Sequence, residues 1–446
     1  MSFSLGIDIG TSKIAVVVTD PEGNIIGTST QKSNAALSTK VGFAEQDATK
    51  ILTSVKETIC ALDSKIRSRV TSIGLTGQMH GVVLWNKRNE KCSSLITWED
   101  GRCNEGGFLQ QLHTKLGNSS LRSGYGCASL AWLAANDVKL LSQFDSAATI
   151  HDYIAALLCG DSKHITDTGD AASFGLFNVN TLSWNTELIE KAGIPNSLLP
   201  HVIPMGADRG RLAKRLAKEF GLGEGIPITV PCGDNQGSLY STLRDPSKEI
   251  ALTLGTGGQL SVIVDLKASI ESIPTTMELR PYVGNTFAAV AASLCGGSAF
   301  RWLENSVRSW LSELSNANVT QDELYAKLDE LGLKSISSPL DVCSSFRGER
   351  HDPNMRGSIS NIDTNNFTIG NLAASTARSV LENLRDMLPK EYWKDRVRVV
   401  GSGNGIRKLK LIQKLVPEVF GMPLVISEDR EEAAHGAALL AAIGRS

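Results

Sequence analysis

The chain has 446 residues, with 45 basic against 47 acidic side chains and a formal charge of −2. An apolar share of 41% and a charged share of 21% suit a chain with a packed core and exclude a disordered or fibrous one. The near balance of charge gives no basic footprint for nucleic acid or anionic lipid, and no run approaches the ~20 apolar residues of a membrane span.

At ~150 residues per domain the length allows roughly two or three domains. The opening MSFSLGIDIG has an acid at Asp8 and no basic segment, so it is not read as a secretion signal. The eight cysteines are scattered without a CxxC pair, which fits free thiols in a reducing compartment; the expected location is the cytoplasm.

In chain order, residues 3–9 and 13–20 are apolar β-rich runs separated by Gly10-Thr11-Ser12, and Pro21-Glu22-Gly23-Asn24 turns into a third run, IIGTSTQ. The pattern predicts a β-meander. Asp47 is placed to cap a helix on which Ile51, Val55, Ile59, Leu62 and Ile66 recur at helical spacing. Residues 70–75 form the next strand and end at Thr76-Gly77. The second half repeats this order. A strand over 250–254 meets the turn Gly255-Thr256-Gly257-Gly258 and returns over 259–264. A later strand over 397–400 stops at Gly401-Ser402-Gly403-Asn404-Gly405, before a helix over 407–416. Strands covered by helices, twice over, predict an α/β protein of two related domains, 1–243 and 244–446, joined near Arg244-Asp245-Pro246-Ser247.

The motifs concern phosphate and hydroxyl groups. In Asp8-Ile9-Gly10-Thr11-Ser12-Lys13 an acid stands at a strand end before small hydroxyl residues and a lysine. Backbone N–H groups of such a turn can converge on a phosphate, and an acid there suits Mg²⁺ held through water. Alone, the segment also reads as a plain hairpin, and no Gly-Lys dipeptide of a Walker loop occurs in the chain. Gly255 to Gly258 repeats the device. Gly296-Gly297-Ser298 opens a predicted helix and fits either a close nucleotide approach or tight helix packing.

Cys232-Gly233-Asp234-Asn235-Gln236-Gly237 follows an apolar strand just before the domain crossover, where a carboxylate can take a proton from an attacking hydroxyl; an Asx turn is the simpler reading of the segment alone. Gln78-Met79-His80, Thr97-Trp98-Glu99-Asp100-Gly101-Arg102, His151-Asp152-Tyr153 and Asp167-Thr168-Gly169-Asp170 supply the mixed donors and acceptors that a sugar needs. No histidine or cysteine spacing of a zinc site and no GxSxG elbow is present.

Taken together in order, GIDIGTSK, GLTGQMHG, TWEDGR, TDTGDAAS, GDNQG, TLGTGG, FRGER at 346–350, VVGSGNGIRK and EEAAHGAALLAA resemble the FGGY carbohydrate kinases, over nearly the whole length. The resemblance implies two actin-like (ribonuclease H-like) domains facing across a central cleft, the N-terminal one for sugar and the C-terminal one for nucleotide. It implies ATP and Mg²⁺ as cofactors and a small-molecule sugar as partner, with neither nucleic acid nor membrane.

Residue by residue, it makes Asp234 the catalytic base. Thr11, Ser12, Lys13, Gly255, Thr256, Gly257, Gly258, Gly296, Gly297, Gly403 and Asn404 fall at ATP positions, and Asp8 at the acid linked to Mg²⁺. Gln78, Met79, His80, Trp98, Asp100, Arg102, Asp152, Asp170 and Asn235 fall at sugar positions. Within the family, GYGCAS, IHDY and AASFGLFN resemble kinases of a seven-carbon ketose, while Asp170 and the shared GQMHG also fit a xylulose kinase. The product of the first would feed the pentose phosphate pathway. A nucleotide-binding sensor with this fold and no transfer activity is the remaining alternative.

Overall fold

The computed structural model describes residues 2–88, 91–118, 120–265, 273–315, 318–349, 352 and 354–443. The last residue of FRGER lies outside this set.

The chain divides into two units. In the first, strands β1 (Phe3–Ile9), β2 (Lys13–Thr19) and β3 (Ile25–Lys32) form the meander that the sequence predicts. Helix α1 (Ala48–Cys60) is capped by Asp47, whose side chain accepts from Thr49 and Lys50 N–H. The apolar spacing that runs on to Ile66 does not make one helix. Asp63 starts a separate turn over Ser64–Arg67, because its carboxylate accepts from Lys65 N–H and breaks the ladder. Strand β4 (Val70–Gly77) is followed by helices α2 (Ile150–Cys159) and α3 (Thr168–Phe174). Strands β5 (Asp208–Arg211), β6 (Pro227–Thr229) and β7 (Cys232–Gly233) then lead into helix α4 (Asp234–Thr242). The sheet runs β5-β6-β4-β1-β2-β3, with β7 also on β4. β1 is antiparallel to β2 and parallel to β4, and its core face of Leu5, Ile7 and Ile9 has no solvent exposure.

The second unit is built from strands β8 (Glu249–Leu254), β9 (Gly258–Asp265), β10 (Met277–Pro281) and β11 (Thr286–Ser293), and helices α5 (Gly297–Ser315) and α6 (Ile369–Met387). Strand β12 (Arg398–Ser402), helices α7 (Asn404–Lys408) and α8 (Lys410–Phe420) and strand β13 (Leu424–Ile426) complete it. The single helix expected over 407–416 is two helices, since Leu409 takes an extended conformation between them. The sheet runs β10-β11-β9-β8-β12-β13. Its first strand again pairs antiparallel with the next strand and parallel with the later one, Thr253 opposite Ser402 as Asp8 is opposite Thr76. The shared order read from the glycine turns is therefore a shared topology.

Helix α9 (Glu432–Ile443) belongs to the first unit, as does the tip of the β10–β11 hairpin, Arg280–Thr286. The spatial division thus departs from a single boundary at 243/244. Gly6 and Gly74 are neighbours in register on β1 and β4. A Cβ on Gly6 would stand 1.9 Å from Ala434 O, and one on Gly74 2.0 Å from Ala437 O. The paired glycines leave a trough that only a helix of small residues fills, and α9 reads EAAHGAALLAAI.

Candidate active site

Within the first unit, β1, β4 and β7 run parallel, with Asp8 opposite Thr76 and Cys232 opposite Thr76 on the other side. Their carboxyl ends carry Asp8, Gly77-Gln78 and Gly233-Asp234, the end of an α/β sheet where ligands bind. Asp234 is the first residue of α4, and Asn235 N–H donates to its Oδ1 at 2.7 Å. Burial raises the Asp234 pKa, against the Asn235 N–H, Arg280 and His151, which favour the ionised form. A carboxylate that accepts such help remains a proton acceptor.

Asp8 lies well above the usual carboxylate range, first because of burial and then because of Asp234, with Lys13 opposing. Its Oδ1 is buried without a hydrogen-bond partner. An orphaned carboxylate oxygen beside further acids fits a hard divalent cation or its water, so the donors here suit the metal that the sequence implies.

The turn between β1 and β2 is tied to the sugar-side residues. Trp98 Nε1 donates to Thr11 Oγ1 at 3.0 Å, Thr11 Oγ1 donates to Gln78 Oε1 at 3.3 Å, and Gln46 Nε2 donates to Thr11 O at 2.7 Å. Gln78 Nε2 in turn donates to Gln46 Oε1 at 2.9 Å. Ser12 is exposed on this turn. Lys13 Nζ pairs with Glu431 at 2.6 Å, just before α9. His80 has φ +72°, stacks on Tyr125 at 4.4 Å and bonds Ser173 O through Nδ1.

Asp100, Arg102, Asp152 and Asp170 are likewise engaged within the protein. Asp100 is 1% exposed and accepts from Ala44 N–H and from Arg102 Nε and Nη2. The Arg102 guanidinium lies over the Phe43 ring, 4.5 Å from its centroid, and also bonds Glu45. Asp152 and Asp170 are the third residues of α2 and α3, where Thr149 and Asp167 act as N-caps. Burial pushes Asp152 up to about 7, and Asp170 is raised well above its ordinary value by burial and by Asp234. Asp170 Oδ2 bonds His151 Nε2 at 2.7 Å, so this carboxylate serves His151 rather than an open surface. In contrast, Trp98 is 41% exposed and Asn235 is partly exposed.

Arg280 escaped sequence reasoning. It is buried in β10, and its Nη1 donates to Asn235 Oδ1 at 3.3 Å and to Met79 Sδ at 3.8 Å. The one signal in the sequence is a charge between the apolar residues Leu279 and Pro281, in a strand whose other charge, Glu278, is only half-buried.

Within the second unit three glycine segments meet. Gly255 N–H donates to Gly257 O across the β8–β9 turn. Gly296 and Ser298 N–H donate to Thr256 O, and Gly297 N–H to Gly255 O. A Cβ on Gly296 would lie 2.2 Å from Gly257 O, one on Gly297 2.6 Å from Gly255 O, and one on Gly403 2.5 Å from Leu254 O. Gly403 also has φ +84°, and Asn404 is exposed at the start of α7. Leu254, Gly296, Gly297, Phe300, Gly405 and Leu409 line an apolar recess beside these loops. Buried Glu349 of FRGER holds the neighbouring backbone, accepting from Ser293 Oγ at 2.7 Å, Asn383 Nδ2 at 2.8 Å and Leu294 N–H.

Residues 3–240 match the N-terminal domain, and residues 250–445 the C-terminal domain, of the FGGY family of carbohydrate kinases. The chain is 30% identical to the sedoheptulokinases of Mus musculus and Homo sapiens, with 98% of this chain and 96% of each relative covered. The crystal structure of a ligand-bound xylulose kinase from Lactobacillus acidophilus shares the fold, with a TM-score of 0.83 at 24% identity over 100% of this chain and 90% of that one. Two repeated mixed sheets, an acid pair at parallel strand ends and three convergent glycine loops are thus explained together: the chain belongs to the FGGY family of carbohydrate kinases.

Proposed function

We propose that this kinase transfers the γ-phosphoryl group of ATP to the terminal primary hydroxyl of sedoheptulose, giving sedoheptulose 7-phosphate and ADP. The observation that carries the reaction is Asp234, a carboxylate at the end of parallel strands with Asn235 N–H on its Oδ1. The seven-carbon ketose is favoured by the two relatives named sedoheptulokinase, which align along nearly the whole chain.

In this reading the hydroxyl proton passes to Asp234 as the new O–P bond forms and the bond to the ADP oxygen breaks. Phosphoryl transfer asks for positioning and charge neutralisation rather than covalent help from the protein. A divalent ion, here Mg²⁺ linked through water to Asp8, supplies neutralisation of the phosphate oxygens when bound. The turns at 11–13 and 255–258 orient phosphates, and Gly296, Gly297, Gly403 and Asn404 take the rest of the nucleotide. Gln78, Met79, His80, Trp98 and Asn235 orient the sugar, while Asp100 is paired with Arg102, Asp152 with Thr149 and Asp170 with His151.

An ADP-release assay with ATP and Mg²⁺ against sedoheptulose, xylulose, ribulose, fructose and glycerol tests the proposal. The expected result is the highest kcat/KM for sedoheptulose. A clear preference for xylulose would transfer the substrate assignment to that sugar, and ADP release indifferent to every sugar would overturn the kinase reading of the site.

A further inference from the structure

Arg280 stands where no motif of the sequence led. Its neighbours Leu279 and Pro281 are buried, and its own side chain is 6% exposed. Withdrawing a guanidinium from water is costly unless acceptors and opposite charge receive it. Asn235 Oδ1 receives it at 3.3 Å, one residue from Asp234, and Met79 Sδ lies 3.8 Å from the same nitrogen.

We propose that Arg280 is a positioning residue of the transfer step: it fixes the Asn235 amide and places a permanent positive charge beside the Asp234 carboxylate. The inference rests on the proposed role of Asp234 as proton acceptor.

The groups around Asp234 come from five elements. Asp8 comes from β1, His151 from α2, Asp170 from α3, Cys232 from β7 and Arg280 from β10. Burial lowers His151 towards its neutral form, and burial raises the Cys232 thiol, so neither carries much charge at neutral pH. The acids oppose ionisation of one another. Arg280 is then the side chain that most favours the ionised form of Asp234, and it also favours that of Asp170. A guanidinium keeps its charge at every working pH and holds its donors in a fixed plane, which a lysine does not. Arg280 forms and breaks no covalent bond; the proton still passes from the sugar hydroxyl to Asp234.

The test compares wild type, Arg280→Met and Arg280→Lys, with thermal melting and ADP affinity measured on each. Wild-type turnover on the ketose panel comes first. Absence of any sugar-dependent turnover would reject the kinase reading itself, whereas turnover on any sugar supplies the substrate for the comparison. For Arg280→Met the expected result is a kcat lower by about 30-fold or more, with ADP affinity within about twofold. The acid limb of kcat/KM should move up by about one pH unit, because Asp234 loses the cation that keeps it ionised. Arg280→Lys should return the limb towards wild type and recover only part of kcat. Wild-type kcat and an unmoved acid limb in Arg280→Met would overturn the proposal. Should Arg280→Met not fold, wild-type kcat in Arg280→Lys would overturn it, and reduced kcat with intact ADP affinity would support it.

Discussion

His151 Nε2 lies 2.7 Å from Asp170 Oδ2, and neither side chain has any solvent exposure. Burial disfavours the imidazolium and raises the Asp170 carboxyl, so a neutral ring shares one hydrogen bond with Asp170 through Nε2, while Nδ1 has no partner and faces the backbone of Gly77. Asp170→Ala removes that partner and leaves both ring nitrogens unsatisfied. The expected cost is about 2–3 kcal/mol of unfolding free energy, the price of an unsatisfied buried polar group. Urea unfolding checks it. An unchanged midpoint and slope would show that Asp170 does not anchor His151.

Asp152 gives a pH dependence with a definite sign. Its value is about 7 when folded against 3.8 for the free group, so the native state holds the proton more tightly. Its stabilising contribution is complete below about 3.8 and is lost as pH rises through about 7, with a slope of at most ~1.4 kcal/mol per pH unit. Asp152→Asn should flatten the wild-type fall in unfolding free energy between about pH 4 and 7. Parallel wild-type and variant profiles would remove Asp152 as its source.

Asp234→Ala should lower kcat by about 10²-fold or more and leave ADP affinity nearly unchanged, since the residue acts on the acceptor hydroxyl. Steady-state kinetics with calorimetric ADP binding separates the two. Near-normal turnover would exclude Asp234 as the base.

The glycines of the nucleotide loops differ in what they report. A side chain on Gly257 would meet Ser293 O at 2.8 Å, whereas nothing lies within 4 Å of a Cβ on Gly255. Gly255→Val is therefore expected to melt like wild type and bind ADP at least ~10-fold more weakly, through obstruction of the phosphate approach. Wild-type ADP affinity in the folded variant would count against this turn as a phosphate loop.

Gly436 on α9 tests the small-residue packing. A Cβ there would lie 1.8 Å from Gly237 O, too close for side-chain adjustment to relieve. Gly436→Val should destabilise the protein by about 3 kcal/mol, read by denaturant unfolding, and should lower kcat through displacement of α4, which begins with Asp234. Wild-type stability would show that α9 shifts freely on the sheet.

The sequence by itself determined the parts that depend on neighbours in the chain. Alternation and turn residues gave the strand–turn–strand order in each half, and the motifs led to the family and marked Asp234 and the glycine loops as candidates. Its errors were also local: Asp63 and Leu409 each divided a helix that apolar spacing alone ran together. Only the tertiary structure decided where polar side chains spend their hydrogen bonds. Asp100, Asp152 and Asp170 have the residue types of a sugar site, yet burial turns them onto Arg102, Thr149 and His151. Arg280 reaches Asn235 across 45 residues of chain, and Lys13 reaches Glu431 across 418. The pairing of Gly6 with Gly74 under α9 likewise joins the two ends of the sequence. Such contacts leave no period in the sequence, because they are set by the close packing of distant segments and by the cost of burying a polar group without a partner.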